Sequence, residues 1–433
     1  MATSAAPVHD EADPYPLSQV YPLGSRINDR GHLEIGGCDT VELAAQFGTP
    51  AFIVAEEDLR ARARVYRDGL AALHHDSDVL FASKAFPCTA VYRLLAQEGL
   101  ACDVASGGEL ALALAGGFEP ARIYLHGNAK SEAELQQALA AGVGHIVLDS
   151  ADDITRLERV AAAAGRTQEV LLRVTPDVAG DTHAAISTGQ ADSKFGFGIA
   201  QARAAIDLVA DAPHLRLVGL HCHIGSQLLA LEPFTRAIEA LASLGSFEVY
   251  NLGGGLGVPY LEHQEAPSIS SYLTALTDAA RTALPSARRL LVEPGRSLVA
   301  NSTVTLYTVQ TVKRNVSTWV AVDGGMSDNL RPMLYGARYE AALANRMRSA
   351  GKGELCQLAG KHCESGDVIV RDVRLPDPRP GDLVVTPATG AYGHAMANNY
   401  NGVPRPPVVF CAGGDARLVV RRETYADLVS RDV

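Results

Sequence analysis

The chain has 433 residues, 47% apolar and 20% charged, a length past which a single core stops growing, so two domains are expected. Its formal net charge of −11 argues against nucleic acid or an acidic membrane surface as partner. Seven cysteines, an odd set without a CxxC pair, argue against a disulfide framework or a zinc module and suit a reducing cytoplasm.

Residues 1–20 are rich in Ala, Pro and acidic groups and lack the basic start and apolar run of a signal peptide, so they are expected to form a disordered tail. No stretch is long and apolar enough to span a bilayer, and a cytoplasmic protein is expected. Gly31 to Leu43 carries a turn signal and a short alternating stretch; Glu56 to Leu73 has helical spacing. A rhythm then begins. Short apolar or β-branched runs stand at Val79–Ser83, Leu100–Val104, Arg122–Leu125, His145–Leu148, Val170–Thr175, Leu215–Ile224, Phe247–Leu252 and Arg289–Glu293, with Ala- and Leu-rich helical segments between them. Alternating strands and helices imply parallel pairing with right-handed crossovers, and eight such units are the number that closes a (β/α)8 TIM-type barrel. That count favours the barrel over an open, doubly wound sheet. Thr175 to Gly198 is Gly-, Asp- and Thr-rich and reads as a loop over the barrel mouth. Beyond Pro294 strand-like runs alternate with Gly, Pro and Asp turns, which predicts a second, all-β, barrel-like domain. The division expected is a barrel over 45–297 and a β-rich domain from 21–44 plus 298–433.

The first strand delivers Lys84 between Phe81 and Phe86. A lysine kept from water loses part of its preference for the charged form, and a neutral amine attacks an aldehyde. A lysine snorkelling from a strand end to the surface is the bland alternative. What separates the two is its company: active-site groups of such barrels sit at the carboxyl ends of the strands, and those ends read Lys84, Asp103, Arg173, His223, Gly253–Gly255 and Glu293. Along the sixth strand, alternation sends Val218, Leu220, Cys222 and Ile224 towards the helices and Gly219, His221 and His223 inwards. No third ligand stands at a familiar spacing from the two histidines, so stacking or hydrogen bonding is preferred to a metal. The glycines at 253, 254 and 255 allow backbone N–H groups to converge on an anion, although a plain tight turn fits them too. Glu293-Pro294-Gly295-Arg296 adds a second backbone nest and a guanidinium, where barrels commonly bind phosphate. An aldehyde-binding lysine, a phosphate cradle and a strand-end carboxylate together describe pyridoxal 5'-phosphate, with Glu293 for its ring nitrogen and His223 against its ring.

The segments FASKAF, CDVASGGEL, HCHIGSQ, NLGGGLG, EPGR, VDGGMSDNLRP, CESGD and TGAYGHAMANNYN resemble the diaminopimelate decarboxylases, pyridoxal-phosphate enzymes of the alanine-racemase-like fold related to ornithine decarboxylase. The resemblance runs from about Arg26 to the C-terminus. It implies a head-to-tail homodimer with shared sites and loss of CO2 from the D-centre of meso-2,6-diaminopimelate to give L-lysine. By the same resemblance Lys84 holds the cofactor, His223 stacks on it, and Ser226, Gly255, Gly295 and Arg296 lie around its phosphate or the substrate. Cys363 is implied as a proton donor in the neighbouring subunit's site, Glu364 as the binder of the distal ammonium, and Tyr392 as a group reaching the phosphate region. Arg331 suits the second carboxylate of the substrate, a guanidinium fork being the natural match for a carboxylate held from water, and Tyr335 lines the pocket beside it. Lys194 falls in the segment expected to act as a lid. The alternative reading is a decarboxylase of the same fold acting on another basic or D-amino acid.

Overall fold

The computed structural model describes residues 17–178, 193–349 and 353–433. The expected tail lies outside the described residues up to position 16, and Val20 is fully buried. Most of the expected mouth loop (179–192) also lies outside them.

Eight parallel strands form the first unit: β1 (Ser77–Ala82), β2 (Ala101–Val104), β3 (Ile123–Leu125), β4 (His145–Leu148), β5 (Gln168–Thr175), β6 (Leu215–Cys222), β7 (Val249–Asn251) and β8 (Arg289–Val292). Each pairs with the next and β8 pairs with β1, so the ring closes and no edge is left. These are the eight runs read from the sequence, and the architecture is the (β/α)8 barrel rather than an open sheet. Serines 106, 131, 150 and 268 each accept a backbone N–H at a helix start, and Ser106 and Ser150 do so two residues beyond their strand ends. The helix Glu56–Leu73 precedes β1 in the chain and completes the outer ring by packing against Thr89–Gln97 and Ile269–Ala283.

The barrel interior is layered, because a strand's side chains alternate with period two. One layer is a closed apolar cluster of Leu80, Ala101, Tyr124, Val147, Leu171 and Leu291 with Val218 and Val249, one residue from every strand. Two residues further along each strand, and three on β6, the interior turns polar: Ala82 is followed around the ring by Asp103, His126, Asp149, Arg173, His221, Asn251 and Glu293. Strand β6 departs from the alternation expected of it. A bulge between Leu217 and Gly219 turns Val218 onto the interior cluster, while Leu220, Cys222 and Ile224 pack outwards and His221 still points in.

Among the described residues the second sheet has nine strands. Thr303–Arg314 is its spine and pairs antiparallel with Thr318–Val322, Leu383–Thr386 and Ala51–Ala55. Ala51–Ala55 falls inside the span 45–297 assigned to the barrel, yet it is a strand of this sheet, flanked on its other side by Val408–Ala412. Its side chains show no polar alternation because both faces are buried, Phe52 and Val54 towards the large core and Ile53 towards the smaller one. The N-terminal segment forms a small three-stranded sheet of its own that packs on the smaller core through Leu33, Ile35 and Cys38.

Leu171 is fully buried in the apolar layer. Leu171→Ala is expected to destabilise the protein by about 2–5 kcal/mol, read from denaturant unfolding, whereas a loss below about 1 kcal/mol would mean that the layer is not closely packed.

Candidate active site

Above the polar layer lies a cavity of about 330 Å³ lined by Lys84, Asp103, Arg173, His223, Ser226, Gly255, Glu293, Gly295, Arg296, Tyr335 and Tyr392, among others. The volume is that of a small-molecule site. Eleven residues singled out in the sequence are thus brought to one cavity, and the polar interior layer forms its floor.

Lys84 stands not in β1 but in the single turn Ser83–Ala85 that follows it. Ser83 Oγ anchors the turn by donating to Glu109 Oε2 (2.8 Å), and the Tyr392 N–H donates to Ala85 O (2.9 Å), tying the β-rich domain to the lysine segment. The phenylalanines do not enclose the lysine as expected. Phe81 packs edge-on against Tyr92 and Phe86 against Phe52, and neither lines the cavity. Burial lowers the affinity of the Lys84 amine for its proton, but the charges of Tyr392, Asp103 and Glu293 outweigh it and the net shift is upward. The ammonium is therefore favoured, not the partly neutral amine read from the sequence.

Glu293 is held from three strands. Asn251 Nδ2 donates to Oε1 (2.6 Å), His221 Nε2 to Oε2 (3.1 Å), and His126 Nε2 stands 2.9 Å from Oε1. The two imidazoles meet edge to face with centroids 4.8 Å apart. One donor atom from each of His126, His221 and Glu293 lies within 4.8 Å of the others, a separation these contacts with the carboxylate account for. Burial acts to raise the Glu293 carboxyl, but His126 and His221 overcome it and hold it well below the usual carboxylate range. Asp103 goes the other way: burial and the Glu293 charge push it up to about 7 against the pull of His126 and Lys84.

The glycine run acts differently from the anion cradle anticipated. The Gly253 N–H donates to Asn251 Oδ1 (3.0 Å) and the Gly254 N–H to His223 Nδ1 (3.2 Å), so both are committed within the chain and only Gly255 lines the cavity. Their effect is orientational. A backbone N–H can only donate, so each fixes which atom its side-chain partner turns towards it. The run is also locked by close approach, since a Cβ on Gly254 would lie 2.0 Å from Glu293 O. Burial, with Lys84 and Arg173 adding to it, keeps the proton affinity of the His223 ring well below its usual value.

Arg296 forms another wall. Its Nη1 donates to Tyr260 Oη (2.6 Å), its Nη2 to Ser226 Oγ (2.9 Å), and its guanidinium lies 4.9 Å from the Tyr392 ring centroid. Arg331 does not line the cavity. It is buried behind this wall, 4.5 Å from the Tyr260 ring centroid and donating to Tyr339 Oη. Tyr392 holds φ 63°, a left-handed conformation uncommon for a bulky residue and one that marks it as constrained.

Cys363 and Glu364 lie away from this cavity. Cys363 is exposed on a tight turn, its N–H donating to Asn401 Oδ1 (2.9 Å), and buried His362 braces the turn by bonding to Asp367 (2.6 Å). Sequence reasoning missed His126, Asn251, Phe195 and Tyr260, and gave Arg173 no role. His126 was legible in principle: it stands two residues beyond inward-facing Tyr124, one past the point where the third apolar run was ended. Phe195 lines the cavity beneath Arg173, its ring centroid 4.4 Å from the guanidinium, and exposed Lys194 stands 4.9 Å from that ring.

Residues 56–300 match the model of the pyridoxal-dependent decarboxylases, pyridoxal binding domain. The chain is 47% identical to the diaminopimelate decarboxylase of Actinosynnema pretiosum subsp. auranticum, covering 96% of this chain and 95% of the relative. It is 44% identical to that of Bacillus subtilis (strain 168), over 94% and 97% of the two chains. The crystal structure of the diaminopimelate decarboxylase from M. jannaschii in complex with L-lysine superposes with a TM-score of 0.88 at 34% identity, over 94% and 97% of the chains. Fold and cavity define a pyridoxal-dependent decarboxylase. Within that class, the chain belongs to the diaminopimelate decarboxylase family.

The raised Asp103 carboxyl has a stability consequence. The unfolded side chain titrates near 3.9 and the folded one at about 7, so the folded state binds more protons between those values and stability falls as pH rises through them. Asp103→Asn removes the buried charge. It is expected to be indistinguishable from the parent below pH 4 and more stable by about 2–4 kcal/mol at pH 8, measured by denaturant unfolding across pH. Equal stability at pH 8 would contradict the shift.

Proposed function

We propose that the protein releases CO2 from the D-centre of meso-2,6-diaminopimelate and leaves L-lysine, using pyridoxal 5'-phosphate. The observation that carries the reading is that Lys84, Glu293, His223 and Arg296 line one cavity at the carboxyl ends of the barrel strands in a chain of this family. The residues fit the cofactor by their chemistry: an amine for an aldehyde, an acceptor-only carboxylate for a ring N–H, and a guanidinium with a hydroxyl for a phosphate. When bound, pyridoxal phosphate supplies an electron sink for the pair left behind when CO2 departs.

In this reading Lys84 would hold the cofactor through its Nζ at the aldehyde carbon, with loss of water, and Glu293 would accept the N–H of the pyridine ring. His223, its orientation set by the Gly254 N–H, lies against the ring face. Arg296, Ser226, Gly255, Gly295 and Tyr392 would hold the phosphate. Because Arg296 and Arg331 bracket Tyr260, positive charge is concentrated on one side of the cavity, which suits a substrate with a second carboxylate. Arg331, which stands behind Tyr260, would act on that carboxylate through its charge and would meet it directly only if the Tyr260 wall shifts, while Tyr335 lines the cavity itself.

The protein is proposed to work as a cytoplasmic homodimer with shared sites, which is supported by Cys363 standing exposed on a braced turn while the other six cysteines are buried. Cys363 of the partner subunit would deliver a proton to the carbon that lost CO2, and Glu364 of the partner subunit would meet the distal ammonium.

Assay of CO2 released from meso-diaminopimelate, lysine and ornithine separately tests the substrate, and comparable release from lysine or ornithine would overturn it. Lys84→Ala is expected to lose nearly all turnover, and substantial steady-state decarboxylation would refute its role. Arg331→Ala is expected to lower kcat/KM for meso-diaminopimelate by about 2–5 kcal/mol, the cost of leaving a buried charge unpaired, and unchanged kinetics would remove Arg331 from the substrate. Mixing Lys84→Ala with Cys363→Ala protein should restore up to about a quarter of parental activity. Random exchange makes half the dimers mixed, and each of these holds one intact site of two. No recovery in verified heterodimers would contradict the shared site.

A further inference from the structure

Three side chains converge on Glu293, from the ends of β3, β6 and β7, and none of them lines the cavity. Asn251 has no freedom to turn its amide. Its Oδ1 accepts the Gly253 N–H, so its Nδ2 must face Glu293 Oε1 as a donor. His221 Nδ1 is buried with no hydrogen-bond partner among the described residues, which leaves the ring proton on Nε2, where Glu293 Oε2 accepts it. Burial pushes His221 down to about 4, so this ring acts at neutral pH as a neutral donor. His126 Nε2 stands 2.9 Å from Oε1 on the other side, in contact with the carboxylate but not aligned as a hydrogen bond.

A buried carboxylate without donors tends to take up a proton. Asp103, in the same interior layer, is shifted in that direction, and Glu293, with its donors, is shifted oppositely. The other charged or titratable groups that interact with Glu293 include Lys84, Arg173, His223, Cys222, Tyr124 and Tyr272. An acceptor of low basicity leaves a shared proton on its partner.

We propose that His126, His221 and Asn251 are positioning residues that keep Glu293 an acceptor-only carboxylate, so that a heteroaromatic nitrogen meeting it from the cavity retains its proton and positive charge. The inference rests on the reading above, in which Glu293 meets the pyridine nitrogen. It adds that the electron-withdrawing state of the ring is set behind the cavity wall, by residues that touch neither cofactor nor substrate.

The test compares the affinity for pyridoxal phosphate with that for its 1-carba analogue, whose ring carries C–H in place of nitrogen, by equilibrium dialysis. The parent protein is expected to prefer pyridoxal phosphate by about tenfold or more, the scale of a hydrogen bond to a charged group. Glu293→Ala should bring that ratio close to one; a ratio left unchanged by this variant refutes the Glu293 reading and the inference with it. If Glu293→Ala collapses the ratio, His221→Phe and His126→Phe should each cut it by about fivefold or more without weakening the analogue, and His221→Gln and His126→Gln, which keep a neutral N–H donor, should restore it. Phenylalanine variants within about twofold of the parent overturn the inference alone, and so does failure of the glutamine variants to restore the ratio. If the phenylalanine variants do not fold, nitrogen-15 NMR of histidine-labelled parent holoenzyme decides: both rings are expected to be protonated at Nε2, and a ring protonated only at Nδ1 overturns the inference.

Discussion

The site depends on the hydrogen-bonded seam where the last strand of the barrel meets the first. Val292 pairs with Val79, and beyond the strands the Ala82 N–H donates to Pro294 O (3.1 Å). A Cβ on Gly295 would come within 3.0 Å of Ala82 Cβ and 3.2 Å of Ala85 Cβ, so the seam stays tight up to the turn that carries Lys84. Closure therefore places Lys84 and Glu293, far apart in the chain, on one cavity. A one-residue slip at this seam would turn β8's inward-facing side chains to the helices, which is why the register is closely specified.

Above the seam, the site works by treating two buried carboxylates differently. Asp103 and Glu293 share an interior layer and a cavity wall, yet neighbours drive their proton affinities apart. Environments that separate like groups in this way assign them separate chemical tasks. The difference comes from His126 and His221, which lower Glu293 through their charge and hydrogen bonding, while the Glu293 charge itself helps to raise Asp103.

The barrel was legible because its physics is local. Each strand is a short apolar run whose alternation sends one face to the helices, and the strand-end polar residues stand out against that background. The bulge at Val218 was not legible, since no residue there announces an extra position in the ladder. Ala51–Ala55 was assigned to the wrong unit because a strand buried on both faces carries no alternation, and its partners Thr303–Arg314 and Val408–Ala412 lie hundreds of residues away. Within the site, residue types pointed to Lys84, His223, Glu293 and Arg296. The same residue types misled at Gly253 and Gly254, because glycines suggest an anion nest whenever their N–H groups are free, and whether they are free depends on the side chains of Asn251 and His223. His126 and Tyr260 act through contacts across the barrel that no sequence spacing encodes.

The β-rich domain contributes Tyr335 to the cavity, and the Tyr392 N–H on Ala85 O ties it to the lysine turn, with Tyr392 in a left-handed conformation against Arg296. Lys84 and Glu293 are proposed to grip one aromatic aldehyde together. Borohydride reduction of the purified protein, followed by mass mapping of its peptides, addresses the covalent half of that claim directly. The account predicts a phosphopyridoxyl group on the peptide carrying Lys84 and on no other. Attachment at a different lysine, or none after loading with pyridoxal phosphate, would contradict it.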